Sequence, residues 1–273
     1  MRRDDSGLHR EMVSGVLEAV RGLVDQERLG AVLTIVSGEG IGTKAVLDAE
    51  KGYVAGELPF EIAEDVLADA IQLMRHEQSR TLTYEGREVF IETVAPSPRL
   101  IVFGAVHVAQ PLAKMAKELG FVVTISDARP AFITRDRFPE ADEILVGWPN
   151  EIIDRLTFDD RTYVVILSHD ARFEDPVFPV VHERPVRYLG AMGSRRTHRR
   201  RAERLRAAGW SEDEIARIHG PVGLDIGAET PAEMAVSILA EMVQVRYGFG
   251  SGLSLRGKEG RIHQQRPEDE GDL

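Results

Sequence analysis

The chain contains no cysteine among its 273 residues. This absence excludes disulfide bonds, thiolate metal ligands, iron–sulfur ligation, and any thiol or persulfide nucleophile carried by the chain itself. Long apolar runs are missing as well: no stretch approaches the roughly 20 apolar residues that a membrane-spanning helix needs, and the amino terminus lacks an apolar signal core. We therefore expect a cytoplasmic protein that carries no sulfur chemistry of its own.

Basic residues are outnumbered by acidic ones. The sequence has 34 lysines and arginines against 45 aspartates and glutamates, which gives a formal net charge of −11. This charge argues against a general nucleic-acid-binding protein, although it leaves room for a local basic patch. The hydrophobic fraction of 43% is ordinary for a globular protein, and the length suffices for two domains.

A proline-rich segment at residues 95–98 marks the expected domain boundary, because two prolines in four residues continue neither a helix nor a strand ladder. Before it, helical spacing, short strands and a hairpin around Gly86 predict a smaller α+β domain over residues 1–95. After it, five short apolar strands alternate with helices over residues 96–249, which predicts an α/β fold with a Rossmann-like, doubly wound parallel sheet. The glycine-rich, charged residues 250–273 are expected to form a flexible tail.

Residues 219–233 form the most distinctive motif, because three glycines precede a Thr-Pro-Ala-Glu helix start. Gly223 and Gly227 permit positive φ and let a ligand approach bare backbone. The threonine, proline and glutamate predict an N-cap, a first helical residue and a capping box. Asp225 and Glu229 either bind a ligand or cap backbone N–H groups of the loop, and the sequence leaves both roles open.

Residues 104–109 lie where the first strand of the predicted sheet turns into a helix, the position of a dinucleotide-binding fingerprint. Gly104 supplies the first glycine, but Val106 replaces the second and hinders backbone contact with a pyrophosphate. Asp127 follows about 20 residues later, where an acidic residue meets a ribose hydroxyl. We count Gly104, His107 and Asp127 as candidate cofactor-binding residues. A plain strand–turn–helix with a capping Asp127 is the alternative.

A Ser-His-Asp sequence at residues 168–170 follows the fourth predicted strand. Adjacent residues at a strand end point in different directions, so this order does not predict a catalytic triad. His169 is instead a candidate ligand contact at the ligand-binding edge of the sheet, or a residue that fixes the turn. We predict no catalytic residue and no metal site.

A second glycine turn, Gly-Ala-Met-Gly-Ser-Arg-Arg, follows the fifth predicted strand. Gly190, Gly193 and the N-cap candidate Ser194 combine with free N–H groups at a helix start and two guanidinium groups, an arrangement that suits a phosphate. We therefore predict that Arg195 and Arg196 bind an anion. The arginines that follow are predicted to form a solvated helix face: Arg199, Arg200, Arg201, Arg204 and Arg206.

The motifs at residues 100–109, 168–170, 188–196 and 220–233 together resemble those of the xanthine dehydrogenase accessory protein family, the XdhC/CoxI type, in order along the chain. The resemblance implies a maturation factor for molybdenum hydroxylases such as xanthine or carbon monoxide dehydrogenase. Such a factor binds the molybdenum cofactor, a molybdopterin that some hydroxylases use as a dinucleotide. It protects the cofactor during sulfuration and transfers it to the apo-enzyme. The resemblance therefore implies a carrier rather than a catalyst.

The resemblance assigns the phosphate of molybdopterin to Gly193, Ser194, Arg195 and Arg196. It leaves the amino-pyrimidine edge of the pterin to Asp225 or Glu229. The other candidate cofactor-binding residues are Gly104, His107, Asp127, His169, Gly190, Gly223 and Gly227. The family commonly carries a cysteine in its amino-terminal domain, and this chain lacks it, so sulfur has to come from a sulfurtransferase. The expected partners are this sulfurtransferase, an apo molybdenum hydroxylase and a second copy of the chain in a homodimer.

Two other functions stay open from the sequence. The strand–turn–helix at Gly104 and the acidic Asp127 are also compatible with an NAD(P)-dependent oxidoreductase. Val106 and the absence of a proton-transfer pair weigh against NAD(P). An interaction protein that kept the fold and lost the ligand is the third interpretation.

Overall fold

The computed structural model describes residues 5–168, 171–248 and 250–257. The chain divides into two compact units, Met1–Pro96 with Leu253–Leu273, and Ser97–Gly252. Each unit has hydrophobic core clusters of its own. Of the predicted tail, Leu255–Gly257 form a 3₁₀ turn, and residues 258–273 lie outside the described part.

The first unit is built on one antiparallel sheet. Its elements are α1 (Asp5–Asp25), β1 (Gly30–Ser37), β2 (Lys44–Asp48), β3 (Gly52–Gly56), α2 (Phe60–Arg75), β4 (Arg80–Tyr84) and β5 (Arg87–Val94). The strands lie in the order β3-β2-β1-β5-β4. Leu33 and Ile35, alternate residues of β1, are fully buried in one core with Ile62 of α2. The predicted hairpin is confirmed: β4 and β5 pair across Glu85 and Gly86, both at the positive φ of a tight two-residue turn.

The second unit is one parallel sheet with helices. Its strands are β6 (Arg99–Phe103), β7 (Val122–Asp127), β8 (Glu143–Val146), β9 (Thr162–Ile166), β10 (Tyr188–Ala191) and β11 (Ile218–His219). Its helices are α3 (Ala109–Glu118), α4 (Pro149–Ile152), α5 (Ala171–Glu174), α6 (Val177–Glu183), α7 (Arg195–Ala207), α8 (Glu212–Ala216) and α9 (Pro231–Tyr247), with 3₁₀ turns at Pro130–Phe132 and Ile153–Arg155. Across the described ranges of both units, no helix is long and apolar enough to cross a membrane.

The strands of the second unit lie in the order β11-β10-β9-β6-β7-β8, and each neighbouring pair is parallel. Counted from β6 as the first strand, this is the spatial order 6-5-4-1-2-3 of doubly wound dinucleotide-binding folds. The predicted Rossmann-like sheet is therefore confirmed. The sequence pattern misses only β11 of this sheet, because two residues are too few to show a period.

Two hydrophobic cores lie on opposite faces of this sheet. Successive residues of β6 alternate between them: Leu100 and Val102 belong to one core, and Ile101 and Phe103 belong to the other. Helices α3 and α9 contribute to the first core, and α6 and α7 contribute to the second. The chain therefore leaves β6 and the adjacent β9 toward opposite faces. The carboxyl ends of two such strands are where doubly wound folds bind ligands.

Candidate functional site

The carboxyl end of β6 turns on Gly104. This residue has a φ of +112°, and a Cβ there would lie 3.3 Å from main-chain atoms of both Leu167 and Ser168, which follow β9. Glycine is required here because the two neighbouring strand ends approach each other closely. In the same turn Val106 is half-buried and His107 is exposed. Ligand contacts of Gly104 and His107 stay predictions.

Asp127, at the end of β7, is fully buried. The N–H of Ala105 donates to its Oδ2 at 2.8 Å, and the main chain and guanidinium of Arg129 donate to both oxygens at 2.8 to 2.9 Å. Burial raises the pKa of Asp127, but the hydrogen bonds from Arg129 and Ala105 outweigh it, so the pKa lies below its ordinary value. A ribose hydroxyl would have to displace Arg129. The geometry matches the alternative of a capping Asp127, and its contact with a cofactor stays a prediction.

The turn after β10 starts α7. The Ser194 hydroxyl accepts the N–H of Thr197 at 3.1 Å, which confirms Ser194 as the N-cap of α7. A Cβ on Gly190 would lie 2.5 Å from Cγ2 of Val222. The end of β10 therefore packs directly against the loop between β11 and α9, residues 220–230, which we call the glycine loop. The two glycine motifs, far apart in sequence, are neighbours in the fold.

A cavity of about 430 Å³ opens between the start of α7 and the glycine loop. Its walls are Arg195, residues 221–228, and Met234, Ser237 and Ile238 of α9. Small-molecule sites occupy roughly 300 to 1,000 Å³, so the cavity is large enough for one. It brings together candidate residues from two motifs: Arg195, Gly223, Asp225 and Gly227.

The other candidate residues do not line this cavity. Arg196 and Glu229 are exposed and lie outside its walls. Gly190 lies in β10, and Gly193 and Ser194 lie in the turn between β10 and α7. His169 lies outside the described residues. Cofactor contacts of these residues stay predictions.

Helix α9 holds the glycine loop in place. Gly223 has a φ of +98°, and a Cβ there would lie 2.3 Å from Oγ of Ser237. The Ser237 hydroxyl donates to the carbonyl of Leu224 at 2.6 Å. The predicted capping box is confirmed: Thr230 accepts the N–H of Glu233, and the Glu233 carboxylate accepts the N–H of Thr230. The loop is therefore tied to the helix both at its middle and at its end.

A carboxylate inside α9 also holds the glycine loop. Glu241 accepts the N–H of Gly223 at 2.9 Å and the Tyr188 hydroxyl at 2.5 Å, both on Oε2. Nδ1 of His219 lies 3.1 Å from the other oxygen, Oε1. Burial raises the pKa of Glu241, but hydrogen bonds from His219, Tyr188 and Gly223 outweigh it and leave the pKa below its ordinary value. The sequence analysis missed Glu241, although a lone acidic residue in an apolar helical run signals a paired carboxylate.

Helix α7 contains a buried arginine. Arg201 is fully buried and donates to Glu174 from Nε at 3.1 Å and from Nη2 at 2.6 Å. Nη2 also donates to the carbonyl of Met192 at 3.0 Å, which ties the turn before α7 to the helix. The prediction of a solvated face is wrong for Arg201, because the buried Glu174 supplies its counter-charge. The buried neighbours Ala202 and Leu205 are the signal in the sequence for a buried side of α7.

The structure defines a Rossmann-like domain with a cavity beside the carboxyl ends of its strands. A family model described as the XdhC Rossmann domain matches residues 100–242. The match covers more than half of the chain, and the chain belongs to this family. The family recognised from the motifs is thereby confirmed.

Three relatives carry the resemblance. One from Bacillus subtilis, named as a probable xanthine dehydrogenase subunit, is 34% identical over 158 residues, which are 58% of this chain and 46% of that protein. The molybdenum cofactor insertion chaperone PaoD, from Escherichia coli, is 33% identical over 151 residues, which are 55% of this chain and 41% of that protein. The uncharacterized protein YqeB, also from Escherichia coli, is 33% identical over 177 residues, 64% of this chain and 32% of that protein. The chain thus spans less than half the length of these relatives.

One solved structure shares the architecture. It is described as a xanthine dehydrogenase from Bacillus halodurans, and it matches with a TM-score of 0.50 over 84% of this chain and 93% of that chain. The sequence identity is 20%, so this likeness concerns the fold alone.

Proposed function

We propose that this chain binds the molybdenum cofactor in the cavity between α7 and the glycine loop, and delivers it to a molybdenum hydroxylase such as xanthine or carbon monoxide dehydrogenase. The observation that carries the proposal is that Arg195 and Asp225 line the same cavity. To bind a phosphorylated heterocycle such as molybdopterin, a site needs a cationic group for the phosphate and hydrogen-bond acceptors for the N–H groups of the heterocycle. The name of the relative PaoD supports the choice of cofactor.

The start of α7 fits the phosphate of a molybdopterin. Ser194 caps the N–H of Thr197, and among the described residues no acceptor binds the N–H groups of Arg195 and Arg196. Unpaired N–H groups at a helix start, the positive end of the helix dipole and a guanidinium group together form an anion site. Arg195 is one of the residues that line the cavity.

The glycine loop fits the pterin. Asp225 is exposed and lines the cavity, and its carboxylate oxygens can accept the amino and ring N–H groups of an amino-pyrimidine. Gly227 has a φ of +74°, and no other atom lies within 4 Å of where its Cβ would be. A ligand can therefore approach the backbone there. Met234 and Ile238 supply apolar wall for the ring.

The remaining steps of the proposed function concern partners. When bound, the cofactor supplies the molybdenum centre, and this chain's residues hold its phosphate and heterocycle. Because the chain has no cysteine, we propose that a sulfurtransferase delivers the sulfur while the cofactor is held. A homodimer, a cytoplasmic location and the dinucleotide form of the cofactor stay predictions from the sequence.

Co-purification tests the proposal. The chain is purified from a molybdate-fed host, and released pterin is quantified by mass spectrometry against protein concentration. We expect near-stoichiometric pterin on the parent chain and strong loss of pterin from Asp225→Ala. The matched control is Asp213→Ala, an exposed acidic residue outside the cavity walls. Equal pterin on Asp225→Ala and on the parent would contradict the proposal, as would a parent chain that carries none.

A further inference from the structure

Four of the seven arginines of α7 form a surface that pairs with no acidic residue in the described part of the chain. Arg201 and Arg204 pair with Glu174, and Arg206 pairs with Glu212. The remaining four are exposed, and no acidic residue in the described part of the chain forms an ion pair with them. We call this surface the arginine patch: Arg195, Arg196, Arg199 and Arg200.

The arginine patch is electrostatically unfavourable for the helix that carries it. Residues four positions apart on a helix are neighbours, so Arg195 faces Arg199 and Arg196 faces Arg200 with like charges. The patch also occupies the amino-terminal half of α7, where the helix dipole is positive and acidic residues are favoured. The first turn of α7 contains no acidic residue.

These unfavourable like-charge and helix-dipole interactions occur on one helix of a protein whose formal net charge is −11. The helix is nevertheless held, because Ser194 caps its start and Arg201 anchors its middle to Glu174. A charge cluster that no ion pair within the described residues compensates is typical of a functional surface rather than of a structural one. An external anion would relieve both the like-charge contacts and the dipole.

We propose that the arginine patch docks an acidic surface of the protein that receives the cofactor. This inference rests on the proposed function. Arg195 lines the cavity, whereas Arg196, Arg199 and Arg200 do not. The patch therefore continues outward from the cavity wall, and an acidic surface bound there lies beside the cavity.

The patch fits an acidic protein surface better than a nucleic acid. Residues 195–200 rise only about 8 Å along the helix axis, which matches a local cluster of carboxylates rather than a long polyanion. Complementary charge at an interface mainly accelerates association and selects the partner, so binding should weaken as salt rises.

The test uses Arg199→Gln/Arg200→Gln, because neither residue lines the cavity. The control Lys51→Gln/Lys114→Gln also removes two positive charges, at exposed positions outside α7. Probes are an octaglutamate peptide, cofactor-free xanthine dehydrogenase and a short single-stranded oligonucleotide, each titrated at two salt concentrations. Exposed ion pairs contribute modestly, so loss of two should weaken binding of the peptide and of the dehydrogenase about tenfold. The control should stay within about twofold of the parent.

Two results would overturn the docking surface. One is unchanged binding of both acidic probes by Arg199→Gln/Arg200→Gln, and the other is tighter binding of the oligonucleotide than of the peptide by the parent. Retained pterin is measured on every variant by mass spectrometry. Arg199→Gln/Arg200→Gln should keep its pterin, which separates a failed docking surface from a failed cofactor site. If the parent binds acidic probes through the patch but carries no pterin, the proposed function fails instead.

Discussion

Replacing the buried arginine of α7 should destabilise the second unit strongly. In Arg201→Leu, Glu174 keeps its burial and loses both bonds from Arg201, and Met192 loses a donor. Removing one partner of a buried ion pair costs about 3–5 kcal/mol. Arg204 still donates to Glu174 at 2.9 Å, which places the loss at the lower end of that range. A loss of about 3 kcal/mol lowers the Tm of a domain of this size by roughly 6–12 °C.

Tryptophan fluorescence isolates this effect, because both tryptophans, Trp148 and Trp210, lie in the second unit. Urea unfolding followed by fluorescence then gives the free energy of unfolding of that unit. The control is Arg201→Leu combined with Glu174→Leu, which removes both charges and should recover most of the loss. A single variant that loses less than about 1 kcal/mol, or a double variant as unstable as the single, would refute this account of the ion pair.

Three further predictions concern the stability at low pH, the glycine positions of the glycine loop, and the choice of cofactor. The pKa of Asp127 lies below its ordinary value, so ionised Asp127 stabilises the fold above the unfolded pKa of about 4, and this stabilisation is lost as the pH falls below that value. In Asp127→Asn the urea midpoint should therefore fall less between about pH 5 and 3 than it does in the parent. The same pH dependence in both proteins would contradict this. Gly223→Ala should cost more stability than Gly227→Ala, because both have positive φ but only the former meets Ser237, and equal urea midpoints would argue against the contact. NADH should show no saturable binding in a fluorescence titration, because the Arg129 guanidinium already donates to both carboxylate oxygens of Asp127. Tight binding of NADH would favour an oxidoreductase.

The sequence predicts those features that depend on local pattern. Alternating apolar strands and helices predict the doubly wound sheet, and the spacing of serine or threonine before glutamate predicts helix caps such as that of Thr230. The two glycine motifs predict that α7 and the glycine loop share an edge of the sheet. Arg195 and Asp225 line one cavity there, as the adjacency of strand ends leads one to expect.

The sequence does not predict contacts between side chains that are distant along the chain. Arg201 is buried because Glu174, 27 residues earlier, lies opposite it. Glu241 is satisfied by Tyr188, 53 residues earlier, and by the backbone of Gly223. Periodicity reports which side of a helix is apolar, but it contains no information about which charge lies across from another. These pairings require the packed fold.

The most direct test of the central claim is an equilibrium titration of molybdopterin onto the parent chain, Arg195→Gln, Asp225→Asn and the control Arg206→Gln. Arg206 is exposed, pairs with Glu212 and lies outside the cavity walls. Hydrogen bonds to charged groups contribute about 1.5–3 kcal/mol, so each of the first two variants should raise the Kd roughly 10- to 100-fold. Arg206→Gln should bind as the parent does. Equal affinities for all four proteins would contradict a cofactor site between Arg195 and Asp225.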